Sequence, residues 1–351
     1  MPDRQSHRTL SPRDHDILRD VIYTYILRGE PVSSRSVAKG DRHGLSSASI
    51  RNVMADLEEA GLLRQPHTSA GRVPTAAGYH LYIETLMQQR ALPSKERRYI
   101  ADQLEASDHA AGRLEAATQL LSELSHQVGV VLIPALGDTV LKAVDFVPVS
   151  GRKVLCVVVS TSGFVDSKLV ELDEPVGRDE LVRAGNYLTE SFGGMTMRDI
   201  RERLLKLMEH ERAQVDQLLR LVVNLARQGL GDGDAPELRL EGATELLQQP
   251  ELADVARVRR LFDAFSEKVR LVTLLNQCVE GAGVRAWIGD DSELTSELDF
   301  SLIASPYRIG DKVIGSLGIM GPSRMAYERV IPLVEFLATT LSDALAKTFE
   351  G

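Results

Sequence analysis

The sequence predicts a multidomain α+β fold: a small, mainly helical head followed by a larger body that mixes sheets with helices. Three observations point there. The chain has 351 residues, more than one core usually holds, because domains commonly run to roughly 100–200 residues. Capped helical segments fill most of the first ninety residues, whereas apolar runs at hairpin spacing crowd residues 128–172. The charge divides at the same place. Residues 1–90 hold 12 Lys/Arg against 10 Asp/Glu, and residues 91–351 hold 29 against 40, for a net −9. An acidic body with a mildly basic head is the charge layout of a nucleic-acid-binding module on a regulatory body.

Composition excludes several classes. With 43% apolar and 26% charged residues, the chain is neither collagen-like nor mucin-like nor largely disordered. Cys156 and Cys278 stand far apart without a CxxC pair, so neither a disulfide framework nor a zinc site is expected. Asp3, Arg4, Arg8, Arg13, Asp14 and Asp16 interrupt the start of the chain, leaving no signal-peptide core. No run approaches the ~20 apolar residues of a membrane helix. A cytoplasmic location without a membrane partner is the expectation. Catalytic patterns fail as well. Glu209-His210-Glu211 lacks the second histidine of a zinc-protease helix, and no P-loop or GxSxG elbow occurs. Gly289-Asp290-Asp291-Ser292-Glu293 lacks the alternating ligands of a calcium loop and reads as an exposed turn. No enzyme activity, metal or cofactor is expected.

Ser11-Pro12-Arg13-Asp14 reads as a helix start, with Ser11 as cap, Pro12 in the first turn and Asp14 as the capping-box acid. Ile17, Leu18, Val21, Ile22, Tyr25 and Ile26 then recur at helical spacing until Gly29 ends the helix. Glu30-Pro31-Val32 reads as a connector. Ser33 or Ser34 caps a short helix that closes at Gly40, and Ser46 caps a third that runs to about Ala60, with Gly61 as its stop. Helix, short helix, turn and capped helix is the pattern of a helix-turn-helix. In the third helix Ile50, Val53, Met54 and Leu57 mark the inner face. Ala48, Asn52, Ala55 and Glu59 fall opposite, with Ser49 and Arg51 on the flanks. That helix suits a major groove entered by its N-terminus: Asn52 can bond adenine, Arg51 guanine or a phosphate, and the Ala48 methyl can touch thymine. Leu62–Gln65 and Arg72-Val73 read as short strands around turn chemistry at Pro66–Gly71, a wing that carries Arg64, His67, Thr68, Ser69 and Arg72 toward the sugar-phosphate backbone or a minor groove. Thr75 caps the next helix, whose apolar edge is Tyr79, Tyr82, Ile83 and Leu86.

These residues carry a resemblance. Glu30–Val37, the stretch Gly44–Leu63, and Gln65-Pro66-His67-Thr68-Ser69-Ala70-Gly71-Arg72-Val73-Pro74-Thr75 with Gly78-Tyr79 are similar to the HrcA heat-inducible transcription repressors. The wing segment is the selective part, because generic winged helices share the Ala-x-x-Leu-Glu-x-x-Gly-Leu pattern. Thr161-Ser162-Gly163-Phe164-Val165 and Gly315–Pro322 extend the likeness weakly into the body. Ser33 departs from it, standing where glycine is common. The resemblance implies a homodimeric repressor of heat-shock chaperone operons that binds double-stranded DNA at an inverted repeat, the CIRCE operator, with a chaperonin supporting the active state. The candidate DNA-binding set is then Arg35, Ser46, Ser47, Ala48, Ser49, Arg51, Asn52, Arg64, His67, Thr68, Ser69 and Arg72.

In the body, Pro93-Ser94 breaks the chain and a long helical region is expected over about 95–127. Strands follow at Val128–Pro134, Val140–Val149, Lys153–Ser160 and Gly163–Leu172, the third nearly all apolar and therefore central. Helices are expected at about 178–191, 197–208 and 209–228, a hinge at Gly229–Pro236, a strand near 237–242 and helices across 252–279. Within the latter, Arg257, Arg259 and Arg260 read as a solvated face. Strands Val284–Ile288, Phe300–Ala304 and Lys312–Ile319 and a closing helix over about 326–348 complete the chain. A sheet flanked by first and last helices is the layout of a GAF-like domain, and HrcA-like proteins insert a dimerising domain of three strands backed by helices. The expected division is therefore an N-terminal winged helix-turn-helix over 1–90, a GAF-like α/β domain over 91–137 and 236–351, and an inserted α+β dimerisation domain over 138–235. Two rival functions are a regulator whose GAF-like domain binds a small-molecule effector, and a chaperone-interaction protein whose head no longer binds DNA.

Overall fold

Local capping chemistry starts most helices of the head. In α1 (Pro12–Arg28) Ser11 Oγ accepts from Asp14 N and Asp14 Oδ2 accepts from Ser11 N at 2.8 Å, a complete capping box. The helix stops at Gly29, whose φ of +70° is cheap only for glycine. Helix α2 (Ser34–Ala38) is capped by Ser33, which is extended (φ −90°), so the serine that departs from the family pattern fits without strain. Helix α3 (Ser47–Glu59) is capped by Ser46. Strands β1 (Leu63–Arg64) and β2 (Val73–Pro74) pair antiparallel. Val32, expected only as a connector, adds a third rung: its N–H and C=O bond reciprocally to Arg72 at 2.8 and 2.9 Å. Gly71 makes this approach possible, because a Cβ there would lie 2.4 Å from Val32 O. Thr75 caps α4 (Ala76–Leu81), which widens into a π-turn over Tyr82–Leu86.

The computed structural model describes residues 10–40, 44–68, 70–87, 91–107, 109–133, 139–161, 165–210, 221–222, 224–226, 237–243, 268–279, 281, 283–310 and 312–350. Ser69, the Gly229–Pro236 hinge, Arg257, Arg259, Arg260 and most of the helices expected over 209–228 and 252–279 lie outside them.

The single helical region expected after the head is two helices, α5 (Ser94–Glu105) and α6 (Ala110–Ser125). The break at Ser107–His109 is held by Arg113, whose Nε donates to Ser107 O at 2.9 Å. Strand β3 (Val128–Ile133) opens the main sheet, but the chain then leaves it. It forms a separate antiparallel sheet, β4 (Leu141–Ser150), β5 (Lys153–Ser160) and β6 (Val165–Glu171), with β5 central as its apolar run predicts. Helices α7 (Arg178–Phe192) and α8 (Met197–His210) cover one face, and Val144, Phe146, Cys156 and Val158 join Leu181, Leu188 and Ile200 in a core of their own.

The chain rejoins the main sheet at β7 (Glu237–Glu241), which pairs with β3. Then come α9 (Lys268–Val279), β8 (Arg285–Ile288), a 3-10 turn at Gly289–Asp291, α10 (Glu293–Leu298), β9 (Phe300–Ile309), β10 (Lys312–Pro322) and α11 (Tyr327–Glu350). The strand order is β7-β3-β10-β9-β8, every neighbour antiparallel. Both faces are buried. Val131, Ile303, Leu317 and Ile319 meet α6 and α11, while Val130, Leu302 and Met320 meet Leu271, Leu275 and Cys278 of α9. Period-2 alternation in the strands sends successive side chains to these two cores.

The two cysteines report on different cores. Burial pushes the Cys278 thiol up to about 12, and Cys156 is fully buried in the second sheet, so neither thiol is accessible in the folded chain. A thiol-exchange reagent is expected to label each only at the rate of opening of its own core. Comparing Cys156→Ser with Cys278→Ser separates the two openings, and rapid labelling in native buffer would contradict the packing.

Candidate nucleic-acid interface

The geometry of α3 decides what the head can present. Ile50, Val53, Met54 and Leu57 are buried against α1 and the β1–β2 pair, so the opposite side must face water. Ala48, Arg51, Asn52, Ala55, Asp56 and Glu59 are exposed there. The N-terminal half of this face carries a methyl, an amide and a guanidinium, and the acids lie toward the other end. Ser46 Oγ accepts from Ser49 N at 3.1 Å and lies 3.0 Å from Ser49 Oγ. That cap leaves the Ser47 and Ala48 amides at an N-terminus that favours an anion.

Neighbouring elements set the orientation of this helix. Ser47 Oγ and Ser34 Oγ lie 3.2 Å apart and tie the start of α3 to α2, where Arg35 is exposed. On the other side Gln65 Nε2 donates to Thr68 O at 3.1 Å and to Ala70 O at 2.8 Å, folding the loop so that His67 and Thr68 are exposed at its tip. Arg64 is exposed on β1. The structure thus leaves Arg35, Ser46, Ala48, Arg51, Asn52, Arg64, His67 and Thr68 exposed, with Ser49 half-buried and Ser47 partly withdrawn into the α2–α3 contact.

Arg72 differs from the expectation. Its Nε and Nη2 donate to Glu58 Oε2 at 3.1 and 2.7 Å, half-buried, so it fastens β2 to α3 and does not reach outward. The sequence assigns Glu58 no role, and it offers Ser34 only as a possible cap and Gln65 only as part of a wing strand. Glu58 and Arg72 stand 14 residues apart, beyond any helical spacing, and nothing local marks them as partners. The turn at Gly289–Asp291 is likewise more than an exposed turn. Asp291 Oδ2 accepts from Ile288 N at 2.7 Å, and Ser292 caps α10 directly after it. Among the described residues no group of His, Cys, Asp or Glu is placed to hold a metal ion, and no helix is long and apolar enough to cross a membrane.

Comparison with known proteins follows this geometry. Residues 112–331 match the family model described as the HrcA protein C-terminal domain. Heat-inducible transcription repressor HrcA of Geobacter sulfurreducens is 42% identical over 339 residues, covering 96% of this chain and 98% of the relative. The proteins of that name from Xanthomonas campestris pv. campestris and Syntrophobacter fumaroxidans are each 40% identical, covering 96% and 97% of this chain and 96% and 99% of their own lengths. A solved structure described as a hypothetical protein superposes with a TM-score of 0.65 at 23% identity, over 97% of this chain and all of that one. It shares the fold.

The ion pair of Arg72 with Glu58 has a measurable consequence. Arg72→Ala is expected to lower stability by about 0.5–1 kcal/mol, the scale of a partly exposed pair, whereas Arg64→Ala leaves stability unchanged. Denaturant midpoints of the two variants check this; equal midpoints would show that Arg72 fastens nothing.

Proposed function

Because the chain belongs to the HrcA family of heat-inducible transcription repressors, we propose that it represses heat-shock chaperone operons by binding duplex DNA through its head. The head, residues 1–90, acts as a winged helix-turn-helix with α3 as recognition helix and the β1–β2 loop as wing. One observation carries this reading: α3 buries one face completely and leaves the other small, polar and basic at its N-terminal end. Arg51 and Asn52 would read base edges and Ala48 a thymine methyl. Ser46, Ser47, Ser49 and Arg35 would hold phosphates at the helix start, with Arg64, His67, Thr68 and Ser69 on the flanking backbone or minor groove.

The remaining chain divides, in this reading, into a GAF-like body over 91–137 and 236–351 and a dimerisation insert over 138–235. The insert sheet supports that role. Among the described residues α7 and α8 cover one face, and on the other Val147, Val165 and Leu169 are about half exposed beside Leu155, Val157 and Val159. A soluble sheet that keeps such a face uncovered has a use for it, and a second copy would bury it isologously. Two α3 helices would then face the half-sites of an inverted repeat such as CIRCE, so that operator symmetry mirrors protein symmetry. Heating that separates the copies would expose this apolar face, which is surface a chaperonin can bind and return to the active state. The acidic body would meanwhile repel DNA outside the head.

Replacing Arg51 or Asn52 with Ala is expected to cost about 1–3 kcal/mol of affinity for an inverted-repeat operator and little on random duplex. Titration of both DNAs at one fixed salt concentration tests it. Equal losses on the two would mean that these residues touch phosphate and read no base.

A further inference from the structure

The head meets the body through contacts that no DNA-binding role requires. His80 Nε2 lies 2.6 Å from Asp291 Oδ2, and Tyr82 Oη donates to Glu328 Oε1 at 2.6 Å. The ring of Tyr79 packs on that of Tyr327, with centroids 5.4 Å apart and planes tilted by 52°. Arg324 Nη1 donates to Ile26 O at 3.3 Å, close to the end of α1. On the head side three of these four contacts come from α4 and its π-turn, which continue directly from β2 and the wing. On the body side the partners are themselves held. Asp291 also accepts from Ile288 N, and Tyr327 Oη lies 2.8 Å from Ser301 Oγ and donates to Ser323 O at 2.7 Å.

Apolar contact is weakly directional, and the aromatic pair alone would allow the head to rock. Inter-domain interfaces move by default unless they are large and hydrophobic; the shared apolar cluster keeps the head from separating, and directional bonds select one docking angle within that contact. Two short directional bonds beside a buried ring pair supply that selection, since each holds its length at only one docking angle. We infer that His80–Asp291 and Tyr82–Glu328 form a clasp of positioning residues that fixes the angle of α3 to the body and thereby selects operators by the length of the spacer between half-sites. This rests on the repressor reading above. In a dimer joined through the body and insert, the clasp sets the separation of the two recognition helices. One added base pair shifts a half-site by roughly 3.4 Å and rotates it by about 35°, a change that a fixed head cannot follow and a loosened one can.

Two measurements on the full chain test the clasp. The first needs no DNA: spin labels on Asp56→Cys in α3 and Glu335→Cys in α11, diluted with unlabelled chain, report the head-to-body distance, with the native thiols buried. A narrow distribution is expected in the parent, and broadening by at least half in H80A and in Y82F, with D291N as the reciprocal change. An unchanged width in all three overturns the clasp. The second compares inverted repeats whose spacers differ by one base pair. The parent is expected to discriminate among them at least tenfold. The variants are expected to discriminate less than threefold, while their affinity for an isolated half-site duplex stays the same. Variants that keep the parent's discrimination, or that lose half-site affinity in step with it, overturn the spacer role. A parent chain that binds no duplex sinks the repressor reading and the spacer role with it; the spin-label distances distinguish that failure from a failed clasp.

Discussion

One continuous apolar cluster joins the first described helix to the last. It runs from Ile17, Leu18, Val21 and Ile22 of α1 through Ile50 and Leu57 of α3, Tyr79 and Tyr82, and Ile100 and Leu104 of α5, to Leu337, Leu341 and Leu345 of α11. Burial of each such side chain is worth about 1.5–3 kcal/mol, so the head cannot swing away without exposing several of them together. The exposed side of α3 is what this constraint leaves over. With Ile50, Val53, Met54 and Leu57 committed inward, the position of Ala48, Arg51 and Asn52 follows from helical geometry alone.

The body spends its apolar surface differently in its two sheets. The five-stranded sheet is covered on both faces, by α6 and α11 on one and α9 on the other, and it offers neighbours nothing but its edges. Among the described residues the three-stranded sheet packs helices against one face. The chain leaves the first sheet after β3 and returns at β7, which pairs directly with β3 from Gly129↔Glu241 to Ile133↔Glu237. The excursion therefore interrupts connectivity without interrupting the ladder. A unit attached in this way leaves the main sheet intact, and the head packs into the same apolar cluster as that sheet's helices α6 and α11.

What could be read from the sequence was local chemistry. Ser11, Ser46 and Thr75 announce helix starts because a hydroxyl before an apolar period satisfies a free amide. Gly29 and Gly61 announce stops because they adopt positive φ. The inner face of α3 follows from period alone, and the central place of β5 from its apolar run. What escaped was everything decided by tertiary neighbours. Arg72 looks like a wing residue until Glu58 appears beside it. Val32 looks like a connector until it meets Arg72. His80 and Asp291 are separated by 211 positions and carry no mutual signal. The break between α5 and α6 was hidden because both halves keep a helical period, and the bonds that mark it, from Arg113 to Ser107 O and from Ser107 Oγ to His109, are tertiary or non-periodic.

The central claim is that two copies of this head occupy one face of a symmetric duplex site. Footprinting the full chain on promoter fragments from the same genome tests it most directly. Two protected patches are expected, related by a dyad and centred about one helical turn or a whole multiple of it apart, weakening steeply as salt rises. A single unsymmetrical patch, or no protection at salt low enough to favour any basic surface, would contradict it.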